Sequence, residues 1–133
     1  MAAGEGDGLA VLGLFVEIGD EDHPEFAKLL PFLDQVTHGG EKVTITEEIN
    51  PTHFLPKKDQ SKRMWHYEGS LTTPPLLESV LWIVFKNSIK ISEHQMKAMR
   101  NLRCNCKEDK NEIMMVDNFR PPVLLGSRVV KEM

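Results

Sequence analysis

The sequence predicts a sheet-dominated α+β fold, on three observations. Leu9 to Gly19 and Ser79 to Lys86 are short runs that are apolar on both alternating faces, as strands covered on two sides are. A helical repeat of apolar residues begins after Pro24, and Ser92-Glu93-His94-Gln95 has the form of a capping box.

In chain order, Leu9-Ala10-Val11-Leu12-Gly13-Leu14-Phe15-Val16-Glu17-Ile18-Gly19 is short for a helix and rich in β-formers, which predicts one central strand. Phe26, Leu29, Leu30, Leu33 and Val36 then recur at helical spacing behind Pro24, so a helix is expected that ends by Gly39-Gly40. Pro31 lacks a donor and disfavours helix at Leu30, which predicts a break or kink there. Lys42-Val43-Thr44-Ile45-Thr46 alternates like a short strand, and Asn50-Pro51 and Leu55-Pro56 punctuate a loop running to Lys57-Lys58-Asp59.

Trp65-His66-Tyr67 heads a segment through Gly69-Ser70-Leu71-Thr72-Thr73-Pro74-Pro75, whose two prolines predict extended backbone. Strand returns over Ser79 to Lys86, where the sets Val80/Trp82/Val84 and Leu81/Ile83/Phe85 are both apolar. Ser92 and Gln95 open a second helix that turns Met96, Met99 and Leu102 inward, and Ile113-Met114-Met115-Val116 is expected as the last strand. No repeat or linker divides the chain, so residues 1–133 are expected to form part of one domain without an internal boundary.

Composition narrows the function classes. A chain of 133 residues with 41% hydrophobic and 27% charged residues is of globular type and of single-domain size. Sixteen Lys and Arg against twenty Asp and Glu give a net charge of -4, which disfavours nucleic acid or an anionic membrane as the main partner. The first eight residues carry no cationic segment, and no apolar run is long enough to span a bilayer, so a cytoplasmic location is the expectation. Cys104-Asn105-Cys106 is too closely spaced for an easy disulfide and has no second pair to make a zinc knuckle, so it reads as two free thiols in a loop.

Ser70, Thr72 and Thr73, with His66 and Glu68 nearby, form a hydroxyl-rich, proline-stiffened segment that could present a fixed hydroxyl to a pocket. Threonines that merely satisfy local backbone groups beside a Pro-Pro turn explain the same pattern. His23, His38, His53, His66 and His94 are scattered, with no i,i+2 or i,i+4 pair, so no preformed metal site is expected. No nucleophile elbow, Walker loop or dinucleotide fingerprint occurs.

Four segments carry a resemblance: Asp7-Gly8-Leu9-Ala10-Val11-Leu12-Gly13, Phe26-Ala27-Lys28-Leu29-Leu30-Pro31, Tyr67-Glu68-Gly69-Ser70-Leu71-Thr72-Thr73-Pro74-Pro75-Leu76-Leu77-Glu78 and Val116-Asp117-Asn118-Phe119-Arg120-Pro121. In order and spacing they resemble the C-terminal half of the α-class carbonic anhydrases, from about Asp7 onward. The resemblance implies a large, twisted, mostly antiparallel sheet with short peripheral helices and a zinc site in a conical cavity. It gives Thr72 the role of the gatekeeper threonine, whose hydroxyl accepts a hydrogen bond from zinc-bound hydroxide. Thr73 is then a cavity residue, and Val11, Leu71, Val80 and Trp82 form the apolar wall for carbon dioxide. Trp65 and Tyr67 match supporting aromatics behind the threonines.

The departures matter equally. The family's three zinc-binding histidines, the glutamate that orients the gatekeeper and the proton-shuttle histidine belong to the half that this chain does not match. Phe119 stands where the family usually has Trp, and Glu68 where it has Pro. Leu76 stands where secreted members often carry a cysteine, in keeping with an intracellular chain. The resemblance thus implies the reversible hydration of carbon dioxide to bicarbonate and a proton in a complete, zinc-containing domain. This chain alone is expected to bind no metal, to be inactive and to self-associate through exposed strands. The alternatives are a non-catalytic carbonic-anhydrase-related interaction module and a fragment completed by a separate N-terminal half.

Overall fold

The computed structural model describes residues 8–57 and 63–133. The segment read for targeting, residues 1–7, and the Lys58-Asp59 part of the charged loop lie outside the described residues. The elements run β1 (Leu9–Gly13), β2 (Val16–Gly19), α1 (Pro24–Leu33), a 3-10 turn at Pro51–Phe54, β3 (Met64–Gly69), β4 (Val80–Phe85), β5 (Ile89–Ser92), α2 (Glu93–Arg100) and β6 (Lys131–Glu132). This is the sheet-dominated α+β class that the sequence predicts, with short helices beside the strands. Neither helix is long and apolar enough to cross a membrane.

The chain divides into two compact units. The described residues of the first fall within Met1–Phe15, Leu55–Ser88 and Phe119–Met133; the second comprises Val16–Phe54 and Ile89–Asn118.

The first unit holds a four-stranded sheet in the order β1-β4-β3-β6. β1 runs parallel to β4, and β3 is antiparallel to both β4 and β6. Val80 and Phe85, at the two ends of β4, are its buried apolar residues. Opposite residues of a ladder share a face, so the registers Val11↔Trp82 and Tyr67↔Trp82 put Val11, Trp82 and Tyr67 side by side. His66, Glu68 and Leu81 fall on the other face.

The second unit pairs β2 with β5 in parallel and packs α1 against α2. Ile89 and Ile91 are its buried apolar residues. The capping box forms as expected: Ser92 Oγ accepts from Gln95 N at 3.1 Å, and Gln95 Oε1 accepts from Ser92 N at 3.3 Å. The same Gln95 amide reaches α1, accepting from His23 N at 2.8 Å and donating to His23 O at 2.9 Å, so both polar ends of a fully buried side chain are satisfied. Glu25, in the first turn of α1, is buried and accepts from Lys28 Nζ at 2.9 Å and Asn50 N at 3.2 Å. It also lies 2.7 Å from His53 Nδ1, which ties the 3-10 turn to the helix.

Six expectations are corrected. The single strand expected over Leu9 to Gly19 is two strands, β1 and β2, that pair with different partners. The change falls just past Gly13, which has no side chain to hold the ladder. Nor are these strands covered on both faces: Leu12 is 54% and Ile18 47% exposed. Pro31 neither breaks nor splits α1, because it stands in the last turn and forfeits only one hydrogen bond near the helix end. The helix stops at Leu33, well before Gly39, as Gln35 N and Val36 N bond back to Phe32 O and Leu33 O in tight turns. Residues 42–46 pair with no described strand, and residues 113–116 make only an isolated bridge, Arg103↔Met114, since alternation without a partner makes no ladder.

Candidate functional site

The candidate site is the loop that joins β3 to β4 in the first unit. Its start is fixed by Gly69, where an added Cβ would lie 2.8 Å from Trp82 Cδ1, so only glycine lets the indole lie across the backbone. Trp82 Nε1 then donates to Ser70 O at 3.1 Å. Leu71 N donates to Leu77 O at 3.0 Å and closes the base of the loop. At the tip the two prolines do not extend the chain as expected: the Pro74–Pro75 peptide is cis, and Leu76 N returns to Thr73 O at 3.0 Å to close a turn. From the C-terminal segment, Arg120 Nη1 donates to Ser70 Oγ and, at 3.1 Å, to Leu71 O. A charged donor spanning 49 to 50 residues of sequence thus holds the backbone on the N-terminal side of Thr72.

Thr72 is exposed and lines a cleft of about 370 Å³ whose other walls include Tyr67, Gly69, Trp82 and Arg120. Among the described residues its hydroxyl makes no hydrogen bond, so it is not consumed in satisfying the loop. Thr73 is also exposed but does not line this cleft, and it is its carbonyl that closes the turn. Of the six residues singled out, Thr72 and Trp82 meet at the cleft. Leu71 contributes its carbonyl to Arg120, Val11 is a half-buried neighbour of Trp82 in the sheet, and Val80 is 3% exposed in the core. His66 and Glu68, close to the hydroxyls in sequence, lie on the opposite face of the sheet because side chains alternate along β3.

Arg120 is the positioning residue that the sequence did not single out. The available signal was a lone arginine set before Pro121-Pro122, but its target carbonyl is remote in sequence. Of the described carboxyls, Glu25 is held well below its ordinary range by Lys28 and His53 and Glu132 is lowered by Lys86, and both lie outside the cleft.

The zinc implied by the resemblance needs three or four His, Cys, Asp or Glu donors converging at about 2.0–2.3 Å. Among the described residues no three such side chains come together to hold a metal ion. These residues do not by themselves fit zinc, and no step is assigned to it.

The model of the eukaryotic-type carbonic anhydrase family matches residues 1–133. "Carbonic anhydrase 7" of Mus musculus is 49% identical over 130 residues, covering 98% of this chain and 47% of that protein. "Carbonic anhydrase 7" of Homo sapiens is likewise 49% identical over 130 residues, with the same coverage. The chain spans about half the length of the curated relatives it matches. With the family model matched along the whole chain and the Thr72 loop built as described, the chain belongs to the eukaryotic-type carbonic anhydrase family.

Proposed function

We propose that this chain supplies the substrate side of a carbonic anhydrase site, for the reversible hydration of carbon dioxide to bicarbonate and a proton. The observation that carries this reading is the Thr72 hydroxyl: exposed in a cleft, without a described partner, on a loop anchored by Trp82 and Arg120. A hydroxyl held on so fixed a backbone can accept a hydrogen bond from the attacking oxygen and aim it. Trp82 and its sheet neighbour Val11 offer the dry surface that a nonpolar gas requires. The metal donors have to come from outside the described residues, and the functional unit is this chain completed by a segment carrying them. Its exposed free thiols, Cys104 and Cys106, suit a reducing, cytoplasmic compartment.

Metal analysis and a stopped-flow hydration assay of the purified chain test the proposal. It predicts no stoichiometric zinc and no rate above buffer for the chain alone. One tightly held zinc per chain, with activity blocked by a sulfonamide, would overturn it. The same reading expects the chain to self-associate, since the edge strands β1 and β2 expose Leu9, Leu12, Val16 and Ile18. Sedimentation showing a monomer at all concentrations would refute that part.

A further inference from the structure

The first unit's sheet carries a second cavity, of about 320 Å³, lined by His66, Glu68, Leu81, Arg128, Val129 and Lys131 among others. Ladder register explains how residues so far apart meet: Glu68 pairs with Leu81 and His66 with Lys131, which sets all four on one face. From this cavity the geometry points to a binding site for a small organic monocarboxylate.

Charge is the first argument. Neither Arg128 nor Lys131 forms an ion pair among the described residues, although acids outnumber bases in the chain, 20 to 16, and Lys28, Lys86, Arg100 and Arg103 all have carboxylate partners. Arg128 is held in place by its own backbone neighbourhood: Nε donates to Leu125 O at 3.0 Å and Nη2 to Leu124 O. Among the described residues Nη1 is left without an acceptor, so a preoriented guanidinium and a lysine face one cavity with no counter-ion. Glu68, also unpaired, stands in the same wall and leaves the site a formal surplus of one positive charge. That surplus is balanced by a monoanion.

The second argument is the apolar wall. Leu81 and Val129 line the cavity and are 41% and 64% exposed, so a hydrocarbon body beside the carboxylate would cover them. The volume lies at the small end of the roughly 300–1,000 Å³ typical of ligand pockets, which suits a single ring or short chain. The cavity shares Tyr67 and Arg128 with the Thr72 cleft, whereas His66, Glu68, Leu81 and Lys131 line the cavity and not that cleft.

The test is a titration of the full chain with benzoate, followed residue by residue in amide spectra, with benzyl alcohol, acetate and bicarbonate as the other arms. Benzoate is expected to give saturable shifts at Leu81, Arg128 and Lys131, to bind more tightly than acetate or bicarbonate, and benzyl alcohol to give none. Lys131→Gln should weaken benzoate about threefold and Glu68→Gln should tighten it by a similar factor, as exposed charge pairs do. Benzyl alcohol binding as well as benzoate, bicarbonate binding more tightly than benzoate, shifts centred on Thr72, or an affinity unchanged in both variants would each overturn the assignment.

Discussion

The indole Nε1 of Trp82 donates to the backbone oxygen of Ser70 at 3.1 Å, and it does so across Gly69, where a Cβ would lie 2.8 Å from the indole Cδ1. The aromatic and the glycine are therefore one device: the sheet residue Trp82 pins the loop that carries Thr72 only because position 69 has no side chain.

Gly69→Ala should then displace the indole or the loop. We expect a loss of about 1–3 kcal/mol, in the range for overpacking a tight contact. Denaturant unfolding of the variant measures it. Unchanged stability together with unchanged tryptophan fluorescence would show that the contact yields easily.

Arg120→Ala removes the donor to Ser70 Oγ and Leu71 O and leaves no other described charge to hold that backbone. Hydrogen bonds from charged groups contribute about 1.5–3 kcal/mol, so a loss of about 2 kcal/mol is expected. Amide exchange should quicken at Leu71 and Thr72 while α2 keeps its protection. Equal exchange in parent and variant would contradict the positioning role.

Glu25 gives a pH dependence with a definite sign. Its carboxyl is held at about 2, below the ordinary 4.5, first by the Lys28 hydrogen bond and then by His53. A depressed folded-state pKa contributes stability that is fully present above the ordinary carboxylate value and is lost as pH falls toward 2. Acid titration of the second unit should show that loss between about pH 4.5 and 2. Glu25→Gln should be less stable at neutral pH and flatter across this window; equal slopes would contradict the assignment.

Ser92→Ala removes the cap of α2 and, with it, the partner of Gln95 N and the hydroxyl bonded to Asp22 Oδ1. A cost of about 1 kcal/mol is expected, read as a lower unfolding midpoint. A midpoint equal to the parent's would show that Gln95 and its bonds to His23 hold the helix start without the serine.

What the sequence revealed and what it hid divide along the range of the interactions. The Ser92/Gln95 box and Pro24 at a helix start are signals within a few residues, and both helices begin where the pattern puts them. β4 was legible because both its faces are apolar. The split of Leu9 to Gly19 was not, since β1 finds its partner in β4 and β2 in β5, choices made some seventy residues away. β5 and β6, four and two residues long, are too short to leave a periodic trace. At the site, Thr72 and Trp82 were readable through the family resemblance, whereas the separation of His66 and Glu68 from the hydroxyls followed from strand alternation once β3 was known to continue to Gly69. Arg120 stayed hidden because nothing local tells a side chain which carbonyl it will meet.

The role of Thr72 is tested most directly by joining this chain to a homologous N-terminal half that carries the three histidines, and by comparing Thr72→Ala with Thr73→Ala in one hydration assay. Thr72 offers its hydroxyl to the cleft, and Thr73 closes the turn through its backbone. The account predicts that Thr72→Ala lowers the rate about 10²-fold, or about 2.7 kcal/mol of barrier, with zinc content unchanged, while Thr73→Ala costs much less. A Thr72→Ala protein as active as its parent, with zinc fully bound, would contradict it.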